Sequence, residues 1–435
     1  MTAQQIVVLG GGFAGLWSAV GAARKLAELG LGPDAVQVTL VNRDAYHSIR
    51  VRNYESDLSQ VRVPLDQVLA PIGVARVEGD VTAIDLTNRR VTVRSAAGPG
   101  DRALSYDRLV LATGSQLVRP VIAGRALPGL TEFAFDVDTY AGAARLEAHL
   151  RGLPARPAAP GRETALVVGA GLTGIETAAE MPSRLRAIFG AAAPAPRVIL
   201  ADHNPLVGSD MGEHARPVIE TALQALGVEQ RMGVSVAEVR AGGVTLATGE
   251  FIPAQTVIWC AGMRASPLCE EIRDALNGDQ ALRGGAGVRD ESAPIALDRL
   301  GRLPVDHYLR APGSAGLFVA GDCAALEMAQ GHSSVMSCQH GRPMGRYAGH
   351  NVVADLRGLP MLPLAIDWYV TVLDLGPWGA VYTAGWDRRV IGQGASAKQT
   401  KQTINCQRIY PPLSGDRDEI LAAAAPSVQR PPEID

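Results

Sequence analysis

The sequence predicts an α/β protein with two Rossmann-like dinucleotide-binding units. Three observations carry that expectation. A glycine fingerprint occurs twice, each time between an apolar strand and a helix. Strand and helix patterns alternate from the start, which favours a parallel sheet with helices on both faces. A late segment, Gly316 to Asp322, reads as a strand returning to the first sheet.

The first fingerprint runs from strand Ile6-Val7-Val8-Leu9 into Gly10-Gly11-Gly12-Phe13-Ala14-Gly15. In this pattern Gly10 permits the tight turn, Gly12 clears space for a pyrophosphate, and Gly15 lets the helix close on the strand. The helix N-terminus then offers free N–H groups and a partial positive charge to the phosphates. The helix is expected over Leu16 to Leu29, ended by the breakers Gly30-Leu31-Gly32-Pro33. The next strand, Val38 to Val41, ends at Asn42 and Arg43, where a ribose partner is expected. Asn42 bonds a hydroxyl more weakly than a carboxylate does, and Arg43 also reads as a solvated surface charge. Val77 to Ile84, which includes the candidate cofactor contact Val81, and Val91 to Val93 read as short antiparallel strands. Tyr106 to Gly114 reads as a strand entering a glycine turn at Ala112-Thr113-Gly114.

A Pro/Ala-rich connector, Arg151 to Gly161, marks a domain boundary. The second fingerprint follows: Ala165-Leu166-Val167-Val168, then Gly169-Ala170-Gly171-Leu172-Thr173-Gly174. Its next strand ends at Asp202 with no arginine behind it, which favours NADH over NADPH because a carboxylate repels a 2′-phosphate. A Pro/Ala loop spans Gly190 to Pro196, and the unit closes near Thr256 to Gly262. One such fingerprint alone also fits a glycine turn without a ligand; the matched pair points to two dinucleotides in one chain. That arrangement suits electron transfer between a mobile nicotinamide and a resident flavin.

Composition sets the outer limits. The 435 residues suffice for two or three domains, 47% are hydrophobic, and 20% are charged. A net charge of −3 gives no nucleic-acid signal. No segment is long and apolar enough to span a bilayer, and the early first strand leaves no room for a signal peptide, so a cytoplasmic location is expected. Five cysteines form no C-x-x-C and none precedes Cys260, so a redox disulfide beside the first fingerprint is not expected. The histidines show no metal-ligand spacing, and no metal is expected. The three lysines, Lys25, Lys398 and Lys401, read as a compositional bias without mechanistic meaning.

Together the two fingerprints, the L-A-T-G strand at Leu111 to Gly114, the W-C-A-G strand at Trp259 to Gly262 and the A-G-D segment at Ala320 to Asp322 resemble the pyridine nucleotide-disulfide oxidoreductase superfamily. Within it the chain looks most like type II NADH dehydrogenases and their relatives. The resemblance implies an FAD domain with an inserted NAD(P)H domain and a C-terminal α+β interface domain. The boundaries are then FAD domain 1–150 and 269–355, NAD(P)H domain 151–268, and C-terminal domain 356–435. It implies FAD and NADH (or NADPH) as cofactors, with Gly262, Gly321 and Asp322 at the cofactors and Asp322 on the ribityl chain. Glu176 matches a glutamate that faces the nicotinamide and quinone region and assists proton delivery; a helix-surface glutamate is the plain alternative. Glu180 lies one turn on.

Ser337 to Pro343 aligns with the A-Q-x-A-x-Q quinone motif: Gln339 matches its first glutamine, and Pro343 replaces the second. His340 is a candidate proton donor or a structural histidine. Ile366 to Val370, with Leu373, Leu375 and Trp378, is an apolar cluster that would roof a quinone pocket, touch a membrane or enter a core. The tail after Pro411 is expected to fray, apart from a short helix over Asp416 to Ala424, and has no basic amphipathic face. Membrane contact is therefore peripheral at most, at the inner face, and a homodimer is possible. The expected activity is NADH to FAD to a quinone-like small acceptor. A ferredoxin- or rubredoxin-type reductase and a nicotinamide-sensing flavoprotein with little turnover stand as alternatives.

Overall fold

The computed structural model describes residues 3–432 apart from 96, 97, 99, 123, 192, 193, 279–293, 329 and 330. Two members of the Gly190–Pro196 loop and the last three residues of the chain thus lie outside the described residues.

The first sheet is parallel, in the order Leu317–Val319, Arg108–Leu111, Gln4–Leu9, Val36–Asn42, Ala75–Glu78. The fingerprint strand sits in the middle because Ile6 to Leu9 is an unbroken apolar run, buried on both faces. The segment Gly316 to Asp322 does return to this sheet, pairing with Arg108–Leu111. The helix begins earlier than expected, as Phe13–Glu28, because Gly12 itself is the extended residue at its N-cap.

Val77 to Ile84 is two strands rather than one. Val77 pairs in parallel with Val41, whereas Asp80–Asp85 pairs antiparallel with Arg90–Arg94. The break is at Gly79, whose N–H donates to Asn42 O at 2.8 Å and where a side chain would run into Val93 Cγ1.

The second sheet repeats the plan: Ala134–Phe135, Thr256–Trp259, Thr164–Val168, Arg197–Asp202, Val228–Met232, all parallel. Its edge strand and the helix Tyr140–Gly152, with Leu146 and Leu150 in the second core, begin before the expected boundary at residue 151. The Arg151–Gly161 connector is a surface loop inside this unit. The crossing lies elsewhere: Ser115–Leu117 and Met263–Ala265 pair antiparallel, carrying the chain out of the first unit and back.

The long helix Cys338–Leu356 lies against Phe13–Glu28. Contact is close because Gly345 and Gly349 face the neighbouring backbone: a methyl at either would strike Ala14 O or Ser18 O. The C-terminal unit is an antiparallel sheet, Val370–Asp374, Ala380–Ala384 and Arg389–Gln393, covered by helix Gly394–Thr403. The apolar cluster takes the core fate: Ile366, Tyr369, Leu373 and Leu375 are buried.

As far as residue 432 the tail does not fray. Helix Arg417–Ala423, capped by Asp416, buries Ile420 and Leu421 in the first core, and Tyr382 OH donates to Pro432 O at 2.9 Å. Buried apolar contact holds a segment that Pro content alone suggested was loose. Among the described residues no helix is long and apolar enough to cross a membrane.

Candidate functional site

The two fingerprints fold into matching turns. Gly10 and Gly169 take φ of +102° and +108°, a region that L side chains avoid. A methyl at Gly10 would strike Ala112 O and one at Gly169 would lie 2.8 Å from Ala261 Cα. The L-A-T-G and W-C-A-G strands therefore play the same part, each pressing its backbone on the first glycine of a turn. Gly15 and Gly174 would strike Gly10 O and Gly169 O, so the third glycine is forced in both copies.

Gly12 has nothing within 4 Å of where a side chain would stand, and Gly171 has only Asp210 Oδ2 at 3.4 Å. Above each N-cap is open space, and neither cap residue has a side chain to satisfy the first helical N–H groups. Each turn is thus a cradle that fits a diphosphate.

The strand-end residues match as well. Asn42 Oδ1 accepts from Gly11 N at 2.8 Å, and Asp202 Oδ2 accepts from Ala170 N at 2.5 Å. Asn42 spends its amide on Asp44 O and Tyr46 O, at 3.0 and 3.2 Å; Asp202 Oδ1 accepts from Asn204 N and Nδ2 at 2.7 and 2.9 Å, which leaves a lone pair on Oδ2 for a ribose. Arg43 is an exposed surface charge paired with Asp80 at 2.8 Å. Val81 is half-buried, just beyond the Gly79 break.

At the far end of the first cradle, Gly321 (φ +70°) meets Ala14, and Asp322 Oδ2 accepts from Ser115 Oγ at 2.6 Å. Burial pushes the Asp322 carboxyl up, opposed by Ser115 and Arg50. Arg50 also pairs with Asp138 and bonds Ser115 Oγ at 3.0 Å, so one guanidinium ties the crossing strand to both units. Thr113 Oγ1 lies 3.4 Å from Cys323 Sγ, and Gly262 (φ +80°) packs on Val118.

Glu176 is buried on the second fingerprint helix. It accepts from Lys401 Nζ at 2.6 Å and Asp374 N at 3.1 Å. Burial pushes its carboxyl up and Lys401 pulls the other way; burial in turn lowers the Lys401 ammonium, but Glu176, Asp374 and Cys338 together outweigh it and hold the ammonium up. Beside them Lys398 Nζ reaches Asp374 Oδ1 at 2.5 Å and Glu180 at 3.5 Å, and Tyr54 OH donates to Asp374 Oδ2 at 3.0 Å. Two of the three lysines therefore converge on three carboxylates, against the expectation that lysine content carries no mechanistic meaning. Sequence reasoning missed Lys398, Lys401, Asp374 and Tyr54. The signal was the scarcity of lysine itself.

Gln339 opens the long helix with a buried Nε2 that has no partner among the described residues. His340 is fully buried, its Nδ1 accepts from Val335 N at 2.9 Å, and burial pushes its pKa down to about 4. Among the described residues no group of three or more His, Cys, Asp or Glu side chains is placed to hold a metal ion.

Residues 4–345 match the family model described as pyridine nucleotide-disulphide oxidoreductase. The chain belongs to this family. It is a type II NADH dehydrogenase-like member: it is 58% identical over 429 residues to an NADH dehydrogenase-like protein of Mycobacterium tuberculosis, covering 98% of this chain and all of that one. It is also 27% identical over 382 residues to a demethylphylloquinone reductase of Synechocystis, covering 87% and 86% of the two chains. The solved structure of NDH2 from Plasmodium falciparum in complex with NADH covers 97% of each chain with a TM-score of 0.73 at 11% identity, a likeness of fold. The family's cofactors are FAD and NAD(H), and the chain is an NAD(P)H-dependent flavoprotein dehydrogenase.

Proposed function

We propose that the protein oxidises NADH and passes the electrons through FAD to a quinone-like small acceptor. The observation that carries this reading is the pair of matching diphosphate cradles joined by one crossing, with a buried Glu176–Lys401 ion pair on the second fingerprint helix. The comparisons supply the direction: among relatives, one is named a demethylphylloquinone reductase and others type II NADH:quinone oxidoreductases.

In this reading the turn Gly10 to Gly15 and the N-terminus of helix Phe13–Glu28 hold the FAD diphosphate, and Asp322 the ribityl chain. Val81, Ala112, Thr113 and Gly114 wall the flavin nucleotide, and Asn42 positions its turn. The turn Gly169 to Gly174 holds the NADH diphosphate, Asp202 takes its ribose, and Gly262 lies beside the nicotinamide. The flavin, when bound, supplies two-electron redox chemistry, and the protein supplies orientation and electrostatics. Arg50 holds the two units in register through Asp138 and Ser115, which fixes the approach of one nucleotide to the other. The Lys401 ammonium, held by the Glu176 carboxylate, is a buried proton source for the reduction of a quinone.

Anaerobic addition of NADH to the flavin-loaded protein tests the first half: the visible flavin absorption is expected to bleach. Reoxidation by a soluble naphthoquinone tests the second. Bleaching without reoxidation by any quinone would favour the reading as a nicotinamide-sensing flavoprotein, and absence of bleaching by NADH and NADPH would overturn the dehydrogenase reading.

A further inference from the structure

The long helix Cys338–Leu356 carries two guanidiniums that the redox reading leaves unexplained. Arg342 is 9% exposed and Arg346 3% exposed. Neither has a hydrogen-bonding or ion-pair partner among the described residues, and both Nε atoms are buried and unsatisfied. Arg346 stands 4.5 Å over the Trp17 ring and Arg342 5.5 Å from it. Ring contact is attractive but neutralises no charge.

The surroundings make matters worse for a pair of cations. Arg342 feels Arg408, and Arg346 feels Arg342. His47, which faces Arg342, is neutral, its pKa pushed down to about 4 by burial, and burial pushes the Cys338 thiol up. Burial pushes both guanidiniums down to about 10, a direction seen when charge is stranded without a counterion. Gln339 Nε2 and Trp17 Nε1 are likewise buried without acceptors among the described residues. Guanidiniums that cost several kcal/mol to bury unpaired, beside two unsatisfied donors, call for an anion.

We infer that Arg342 and Arg346 bind an anionic oxygen group, a carboxylate, sulfonate or phosphate, carried by the electron acceptor. The inference rests on the dehydrogenase reading above and narrows its acceptor to an acidic molecule. Placement supports the acceptor as the source. Cys338, Arg342 and Arg346 follow one another at four-residue spacing and share a helix face. Cys338 lies within electrostatic reach of Asp322 and Lys401, at the junction of the two nucleotide sites. Arg342 is then ~6 Å and Arg346 ~12 Å further along the helix. An acceptor with its redox ring at the Cys338 end brings an acidic substituent to the arginines. The other source of such chemistry is the diphosphate of FAD. Its cradle is at Gly12 and Phe13, and His47, which faces Arg342, bonds Gly11 O at 2.8 Å; Trp17, which both arginines flank, is ~6 Å or one turn further along its helix, and the flavin content of the variants separates the two sources.

The test uses the FAD-loaded protein. NADH bleaching of the flavin is measured first, and its failure would sink the dehydrogenase reading alone. In that event the oxidised holoenzyme is titrated with naphthoquinone sulfonate, and a saturable change in flavin absorption still reads the anion site. With bleaching in hand, kcat/KM is measured for naphthoquinone sulfonate and for neutral menadione. The wild type is expected to favour the sulfonate, and Arg342→Gln and Arg346→Gln to lose about tenfold or more of that preference, mainly through KM. Arg346→Lys, which keeps the charge, should recover part of it. Loss of FAD from the Gln variants, read as the flavin-to-protein absorbance ratio, would assign the anion to the cofactor diphosphate and overturn the acceptor. Equal use of both quinones by the wild type, with no saturable sulfonate binding, would overturn the site altogether.

Discussion

Replacing Lys401 by Met removes the ammonium from a pair in which Glu176 and Lys401 side chains are 9% and 12% exposed. Glu176 would keep only the Asp374 N–H at 3.1 Å and face Asp374 at close range. Breaking a buried pair by deleting one partner costs about 3–5 kcal/mol, most of it the desolvation of the charge left behind. The penalty should depend on pH with a definite sign. Burial already raises the Glu176 carboxyl above its ordinary 4.5, and without Lys401 nothing comparable opposes that push. A carboxyl with a raised folded-state pKa has its full stability below the unfolded value and loses it as pH rises through the folded value. The gap between variant and wild type should therefore be small near pH 4.5 and widen towards pH 8. Thermal midpoints of the flavin-loaded protein across that range read it out. The double variant Glu176→Gln/Lys401→Met should regain much of the loss, because no buried charge is left unpaired. A pH-independent gap, or a double variant no more stable than the single one, would refute the argument.

Other predictions follow from the same structure. Gly345→Ala puts a methyl into Ala14 O across the helix contact, and should cost about 1–3 kcal/mol or more, seen as a lowered thermal midpoint. Gly174→Ala drives a methyl into Gly169 O and should raise the NADH concentration needed for flavin bleaching by at least about tenfold while the protein keeps its flavin; Gly15→Ala should instead lower flavin content. Asp202→Ala unties Ala170 N and removes the ribose acceptor, and should narrow the kcat/KM preference for NADH over NADPH by about tenfold or more. Arg50→Ala frees the crossing strand from Asp138 and Ser115, and should slow NADH-driven bleaching with little change in NADH binding, read by stopped-flow.

Legibility differed by kind of feature. The two cradles were readable because glycine is needed where backbone meets backbone, and that need recurs at fixed spacing, as at Gly10 with Ala112 and Gly169 with Ala261. The return of Leu317–Val319 was readable from its apolar run. The crossing point was not, since Ser115–Leu117 and Met263–Ala265 pair across the whole inserted unit and neither carries a local signal. Proline and alanine in Arg151–Gly161 mark exposure, which a domain boundary shares with an ordinary surface loop. The carboxylate–lysine cluster was hidden for a like reason: Tyr54, Glu176, Asp374 and Lys401 come from four distant stretches, and only tertiary packing makes them neighbours.

The distribution of the lysines also bears on how the protein meets chemical reagents. Its positive surface charge is almost wholly guanidinium, which amine-directed acylating agents leave alone. Lys25 is tied to Glu28 at 3.4 Å on the first helix, and the other two ammonium groups stand in the carboxylate cluster with 23% and 12% of their side chains exposed. Acylation mapped to the lysines by mass therefore reports less on the outer surface than on whether that interior cluster has opened.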